Sequence, residues 1–468
     1  MNQDLLHPDR LFPIDPKARG VARELYGLVS DFPIISPHGH TDPRWFSEDE
    51  SFSDPVSLLL TPDHYLLRMF YSQGFRMEDF GVYEKGKLGQ EDKREIWRRF
   101  AENFHLFRGT PSALWLKHVF HEVFGLNTPF NKSTADEYFD LISAKLTLPE
   151  FKPRALFDRF KIEVLATTDA PFDSLDAHQK IKDDWGRRVI PTYRPDSVID
   201  PEHEDFHHNM QLFAESSGED VFSWKGYLRA HETRRSFFKA MGATATDHGH
   251  ESALTVELSD LRAEELFNKI VHNQFTPADA RIFRAHMLWK MAELSQDDGL
   301  VMQLHPGSYR NHNNSLFTRY GRDKGADIPT RMEFTENLRA LLNSFGNNPK
   351  FKFICFTLDE SAYSSELATL AGHYPAMKLG PAWWFHDSPE GMIRHRKATM
   401  ETAGFYNVTG FIDDTRAFLS IPARHDVSRR IDARILSELV CEHRMGMDEA
   451  RELIVEITGR LARKAFNL

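Results

Sequence analysis

The sequence predicts an α/β protein folded as a (β/α)8 barrel. Eight apolar runs recur along the chain, each ending in polar or turn residues. Several are near-continuous rather than alternating, as strands buried on both faces are. The segments between them carry helical spacing, and strand–helix alternation with eight strands is the barrel pattern.

The runs are, in order, "FPIIS" from Phe32, "IEVLATTD" from Ile162, "RVIPTYRPD" from Arg188 and "GATATDHG" from Gly242. "LVMQLHPG" from Leu300, "FKFICFTL" from Phe351, "AMKLGPAWW" from Ala376 and "VTGFIDDT" from Val408 follow. Helical spacing is plain in "AEELFNKIVHNQF" from Ala263, "ARIFRAHMLWKMAELS" from Ala280 and "MEFTENLRALLNSFG" from Met332. The stretch between the first two runs reads as helix-rich, in "EDKREIWRRFAENFHLF" and "PSALWLKHVFHEVFGL". We read residues 41–160 as a mainly helical insertion within a single barrel domain spanning 1–468. The tail from "RRIDARILSELV" is also helical and should pack on the outer wall. "PEHEDFHHNM" from Pro201 reads as a polar loop with solvated histidines.

The chain has 468 residues, is 41% hydrophobic and 27% charged, and carries a formal net charge of −11. That composition suits a folded protein and argues against a nucleic-acid partner, which would call for clustered Lys and Arg. It also means that an anionic ligand needs locally concentrated arginines. Two cysteines, Cys355 and Cys441, cannot build a disulfide framework, which fits a cytoplasmic location. No signal peptide and no bilayer-length apolar run is evident, so no membrane is expected.

The first run ends in "SPHGH". Residues i and i+2 of a strand point the same way, so His38 and His40 converge and could bind a divalent metal. With 23 histidines, about one H-x-H is expected by chance, and "DHGH" repeats it at His248 and His250. Position discriminates better than spacing. Barrel active sites lie at the C-terminal strand ends. His38, His40, Asp169, Arg194, His248, His305 and Asp414 all fall at or just after such ends. In "GFIDDTRAF", Asp413 and Asp414 must point opposite ways, whereas Asp414 and Arg416 point together if the strand continues. A carboxylate there can ligate metal or act as a base, and an arginine beside it can grip an anion.

These motifs together resemble the amidohydrolase superfamily, and within it the uronate isomerase family. The resemblance is carried by "TPDHYLLRM" from Thr61, "ATTDAPFDSLDAH" from Ala166, "PTYRPD" from Pro191, "TDHG" from Thr246, "MQLHPGSYRNHN" from Met302, "AMKLGPAWWF" from Ala376 and "DDTRAFLS" from Asp413. It covers nearly the whole chain. It implies an amidohydrolase-type barrel and an aldose–ketose isomerase acting on a small uronic acid. D-glucuronate would interconvert with D-fructuronate, and D-galacturonate with D-tagaturonate, through an enediol.

By position, the resemblance makes His38, His40 and Asp414 the metal ligands and Asp414, Tyr65 and His305 the catalytic group. It makes His64, Arg194, Arg416 and Trp383 substrate-binding. One divalent metal is expected, zinc by preference, with no nucleotide cofactor. A homo-oligomer is expected. The base is Asp414 or Tyr65, and a tyrosine would need a lowered pKa. Asp169 reads as holding a loop or an arginine. "TDHG" has no lysine to bridge two metals and "FKFICFTLDE" no histidine, which counts against a binuclear hydrolase. The rival readings are a mononuclear metal-dependent hydrolase and a non-catalytic sugar-acid-binding barrel.

Overall fold

A computed structural model describes residues 5–87, 89 and 92–468. The other residues, which include parts of the N-terminal stretch and of the 41–160 insertion, lie outside that description.

Seven parallel strands line up in chain order. β1 (Ile34–Ser36), β2 (Ile162–Ala166) and β3 (Val189–Ile190) form one sheet. β4 (Ala245–His248) and β5 (Val301–Leu304) pair next, with Ala245 opposite Val301. An excursion carries a short antiparallel pair, β6 (Ser308–Tyr309) and β7 (Ile328–Pro329). β8 (Phe353–Cys355) and β9 (Met377–Leu379) complete the second sheet in the order β4-β5-β8-β9. A bridge from Tyr193 to Thr246 joins the two sheets, and another from Leu379 reaches Val408. The molecule is an α/β barrel, with helices on the outer faces of its strands.

The eighth predicted strand is corrected. "VTGFIDDT" keeps only the single bridge at Val408 and forms no ladder. Gly410 has φ +80° and Asp414 φ +37°, both outside extended backbone. A Cβ at Gly410 would lie 2.7 Å from the Ile457 carbonyl oxygen, so a side chain has no room there. The segment still meets the first strand's end: the His40 N–H donates to the Thr415 carbonyl at 3.1 Å, and Ser36 Oγ to Asp413 Oδ1 at 3.1 Å.

Between β1 and β2 the chain is helical, including Pro43–Glu48, His64–Ser72, Lys93–Glu102, Pro111–His118 and Ala135–Leu146. Its aromatic core holds Phe70, Trp97, Phe100, Phe120 and Tyr138 and is continuous with Ile34, Ile162 and Val189 of the barrel. Phe70 stacks on Phe80 at 3.7 Å between centroids, and each such pair adds about 0.5–1.5 kcal/mol beyond burial. The helix Pro16–Val29 packs on the tail helix Ile421–Cys441 through Ala22, Leu25, Val427 and Ile431. The stretch at Pro201 differs from a loop in its second half, since a helix starts at Phe206. His207 and His208 are exposed on it, as expected, while His203 lines the central cavity. Among the described residues, no helix is long and apolar enough to cross a membrane.

Candidate active site

The strand ends open into a cavity of about 630 Å³, within the range of small-molecule sites. Every residue assigned a site role from the sequence lines it: His38, His40, His64, Tyr65, Arg194, His305, Trp383, Asp414 and Arg416. His248 does not. It is fully buried, behind the wall that His250 and Asp196 form.

Asp414 is the meeting point. Its Oδ1 lies 3.4 Å from His38 Nε2 and 3.1 Å from His40 Nε2. Trp383 Nε1 donates to the other oxygen, Oδ2, at 2.5 Å. Burial alone would raise the Asp414 pKa, but His38, His40 and His305 beside it outweigh that and hold it far below the usual range. Burial keeps His40 below its ordinary value despite Asp414. His38, His40 and Asp414 each offer a ligand atom within 4.8 Å of the others. Asp414 Oδ1 is buried without a hydrogen-bond partner. Two imidazole nitrogens and an unpartnered carboxylate oxygen at an open cavity fit a divalent metal with exchangeable positions.

His305 is oriented by a residue that sequence reasoning missed. Its Nδ1–H donates to Asp247 Oδ1 at 2.6 Å, and its Nε2 has no partner. The ring stacks on His38 at 4.6 Å and on Phe356 at 3.9 Å. Asp247 also meets Arg194 Nη1 at 3.1 Å through Oδ2. Arg194 Nε donates to Asp196 Oδ2 at 2.7 Å. Arg194 is thus clamped by two carboxylates, whereas Arg416 has, among the described residues, only Asp323, at 3.4 Å. Asp169 accepts from Thr167 Oγ1 at 2.7 Å and from the Thr192 N–H at 3.3 Å, so it holds a loop.

The helix His64–Ser72 delivers two side chains from the insertion. Its N-cap, Asp63, accepts from the Tyr65 N–H at 2.8 Å and fixes the entry of the chain. Trp384 Nε1 donates to His64 Nε2 at 2.9 Å. The His64 lone pair is therefore used, and burial pushes its pKa down to about 3. Tyr65 Oη faces Asp387 at 3.4 Å. Burial first, and Asp387 second, push the Tyr65 pKa well above its ordinary value, the opposite of what a tyrosine base requires. Asp387 in turn pairs with Arg424, whose guanidinium lies 3.6 Å from the Trp115 ring. Arg424 was not singled out from sequence. Its signal is an arginine in register with Ile421, Val427, Ile431 and other apolar residues of one buried helix.

The glucuronate isomerase family model matches residues 17–466. The chain belongs to the glucuronate isomerase family. The uronate isomerase of Phenylobacterium zucineum is 59% identical over 464 residues, 99% of this chain and 97% of that one. That of Xanthomonas campestris pv. campestris is 57% identical over 466 residues, 99% of each. The crystal structure of the glucuronate isomerase from Caulobacter crescentus superposes with a TM-score of 0.98 at 57% identity, covering 99% of this chain and 98% of that one. The enzyme is accordingly an aldose–ketose isomerase. Membership in the glucuronate isomerase family leaves the hydrolase and the non-catalytic readings without support.

Proposed function

We propose that the enzyme interconverts D-glucuronate with D-fructuronate and D-galacturonate with D-tagaturonate, moving a proton between C2 and C1 through an enediol. The observation that carries this reading is Asp414. It is an ionised carboxylate in the cavity wall, with one oxygen tied to Trp383 and the other turned toward the His38 and His40 nitrogens.

In this mechanism Asp414 takes the C2 proton and returns it to C1, while the hydroxyl proton at O2 is lost and one is gained at O1. Tyr65, kept protonated by burial, donates to a substrate oxygen, which makes Asp414 the base. His64, with Nε2 occupied, presents its Nδ1–H as a second donor. Arg416, the less encumbered guanidinium, grips the C6 carboxylate. Trp383 covers the sugar carbons and keeps water out. A divalent ion, zinc in this reading, would be held by His38, His40 and Asp414 and would supply positive charge where oxyanion character develops.

The test follows each uronate by NMR in D2O. Deuterium on one prochiral position at C1 of the ketose supports proton transfer by one base. Turnover of C2-deuterated substrate with the deuteron held at C1, and no solvent label at long incubation, would instead indicate a hydride shift or complete internal return. Asp414→Asn separates these two: a dead variant keeps the base assignment, and an active one removes it. His38→Ala and His40→Ala should each lower bound metal and turnover together. Full metal and full activity in both would remove them as ligands.

A further inference from the structure

The "DHGH" motif has no role in the chemistry above, yet it closes a second group of ligand-type side chains. We propose that His248, His250 and Asp196 form a separate binding site for a divalent cation of the zinc or cobalt type. One ligand atom from each lies within 4.8 Å of the others. The group shares no residue with His38, His40 and Asp414.

Two features distinguish it from a chance cluster. His248 Nδ1, His250 Nε2 and Asp196 Oδ1 are all buried, and none has a hydrogen-bond partner among the described residues. Three unmet buried polar atoms in one place are costly to leave without partners. A shared cation satisfies all three at once. Second, the other ring nitrogen of His248 and the other oxygen of Asp196 are held as ligand supports usually are. His248 Nε2 lies 3.2 Å from Thr246 Oγ1, and the tautomer protonated at Nε2 donates there and leaves the Nδ1 lone pair free for a cation. Asp196 Oδ2 accepts from Arg194 Nε at 2.7 Å and from the Gly249 N–H at 2.9 Å, so only Oδ1 is left.

A protonated His250 paired with Asp196 is the competing account, since His250 Nε2 lies 3.7 Å from Asp196 Oδ1. That distance is too long for a hydrogen bond, and burial lowers the pKa of both imidazoles, His248 to about 3. Neutral imidazoles with free lone pairs are ligands, not cations. Two nitrogens and one carboxylate oxygen select a borderline first-row ion over calcium or magnesium. The site borders the cavity through Asp196 and His250. Its ion would fix Asp196, and through it Arg194, making it a positioning site.

The test is cobalt(II) titration of the full-length, metal-stripped chain, read by visible absorption and by bound metal after gel filtration. His38→Ala/His40→Ala should still bind about one equivalent. Adding His250→Gln to that variant should weaken this binding at least about tenfold. His250→Gln alone should lose one of the wild-type equivalents. Circular dichroism checks the fold of each variant, and His248→Gln substitutes if His250→Gln fails to fold. Failure of the His38/His40 variant to bind cobalt while folded would overturn the proposal. So would bound cobalt that the His250 and His248 changes leave untouched. Neither result depends on which residues carry the isomerisation.

Discussion

Arg194 and Arg416 stand in the walls of one cavity but in different company. The wall from β3 and β4 clamps Arg194 between Asp196 and Asp247, and its side chain is 23% exposed. A Cβ on Gly249 would lie 1.9 Å from Arg194 Nη2, so any larger residue at 249 would push the guanidinium out of this clamp. The wall near Thr415 and the β6–β7 excursion leaves Arg416 with one longer contact to Asp323 and 36% exposure. We propose that the same residue type serves two purposes here, and that the number of carboxylates already paired with it decides which. A saturated guanidinium braces the wall, and an under-paired one is available to an anion.

The comparison can be broken by substitution. The largest effect should come from Asp414→Asn, outside either arginine, as the benchmark for lost chemistry without lost structure. Turnover should fall by about 10²–10⁴-fold with little change in melting temperature. A large drop in melting temperature would make Asp414 structural. Arg194→Met should come next, and in stability. It leaves buried Asp247 and Asp196 without their cation, a loss on the order of 3 kcal/mol, read by urea unfolding. Arg416→Met should spare unfolding and weaken substrate binding about tenfold to a hundredfold, the value of a charged hydrogen bond at roughly 1.5–3 kcal/mol. If both arginine variants moved the same quantity, the distinction between the walls would be gone.

The smallest effect concerns Asp169, beside the β3 wall. Burial pushes its pKa up to about 7, against 3.8 unperturbed. Below about pH 4 both folded and unfolded chains hold this proton, and it has no effect on stability. Between about 4 and 7 the unfolded chain ionises first, and above 7 the full penalty of a buried charge is present. Asp169→Asn should therefore stabilise the protein at pH 8 by on the order of 1–3 kcal/mol, with the gain fading as the pH falls toward 4. A gain that grew on acidification would reverse the sign of this argument.

Much of the site was legible in the sequence because strand ends deliver it. His38 and His40 converge on one oxygen, as their i, i+2 spacing implies, although both lie past the last paired residue of β1. Parity also explains the main omission. His248 drew attention as a strand-end histidine, but Asp247, one residue earlier, faces His305 and Arg194. Attention to histidines passed over the carboxylates that orient them. Asp247 and His305 are 58 residues apart, and no local pattern joins them. Asp387 and Arg424 escaped for the same reason, on a loop and a tail helix that meet only in the fold. The eighth strand was misread because the apolar run was weighed above Gly410 in its middle. The β6–β7 excursion, which carries Asp323 to Arg416, has no apolar run to announce it.

The pairing of the first and last thirds of the chain also sets a timetable for synthesis. His38 and His40 leave the ribosome early, and Asp414, the oxygen they share, leaves 374 to 376 residues later. At roughly 5–20 residues per second, that interval is about 20–75 s. The helix Pro16–Val29 waits longer still for its partner face on Ile421–Cys441. During that time the nascent chain exposes an apolar helix face and an unpaired edge of β1. A chaperone that shields the first half of the chain should therefore raise the yield of active enzyme more than one acting only after release.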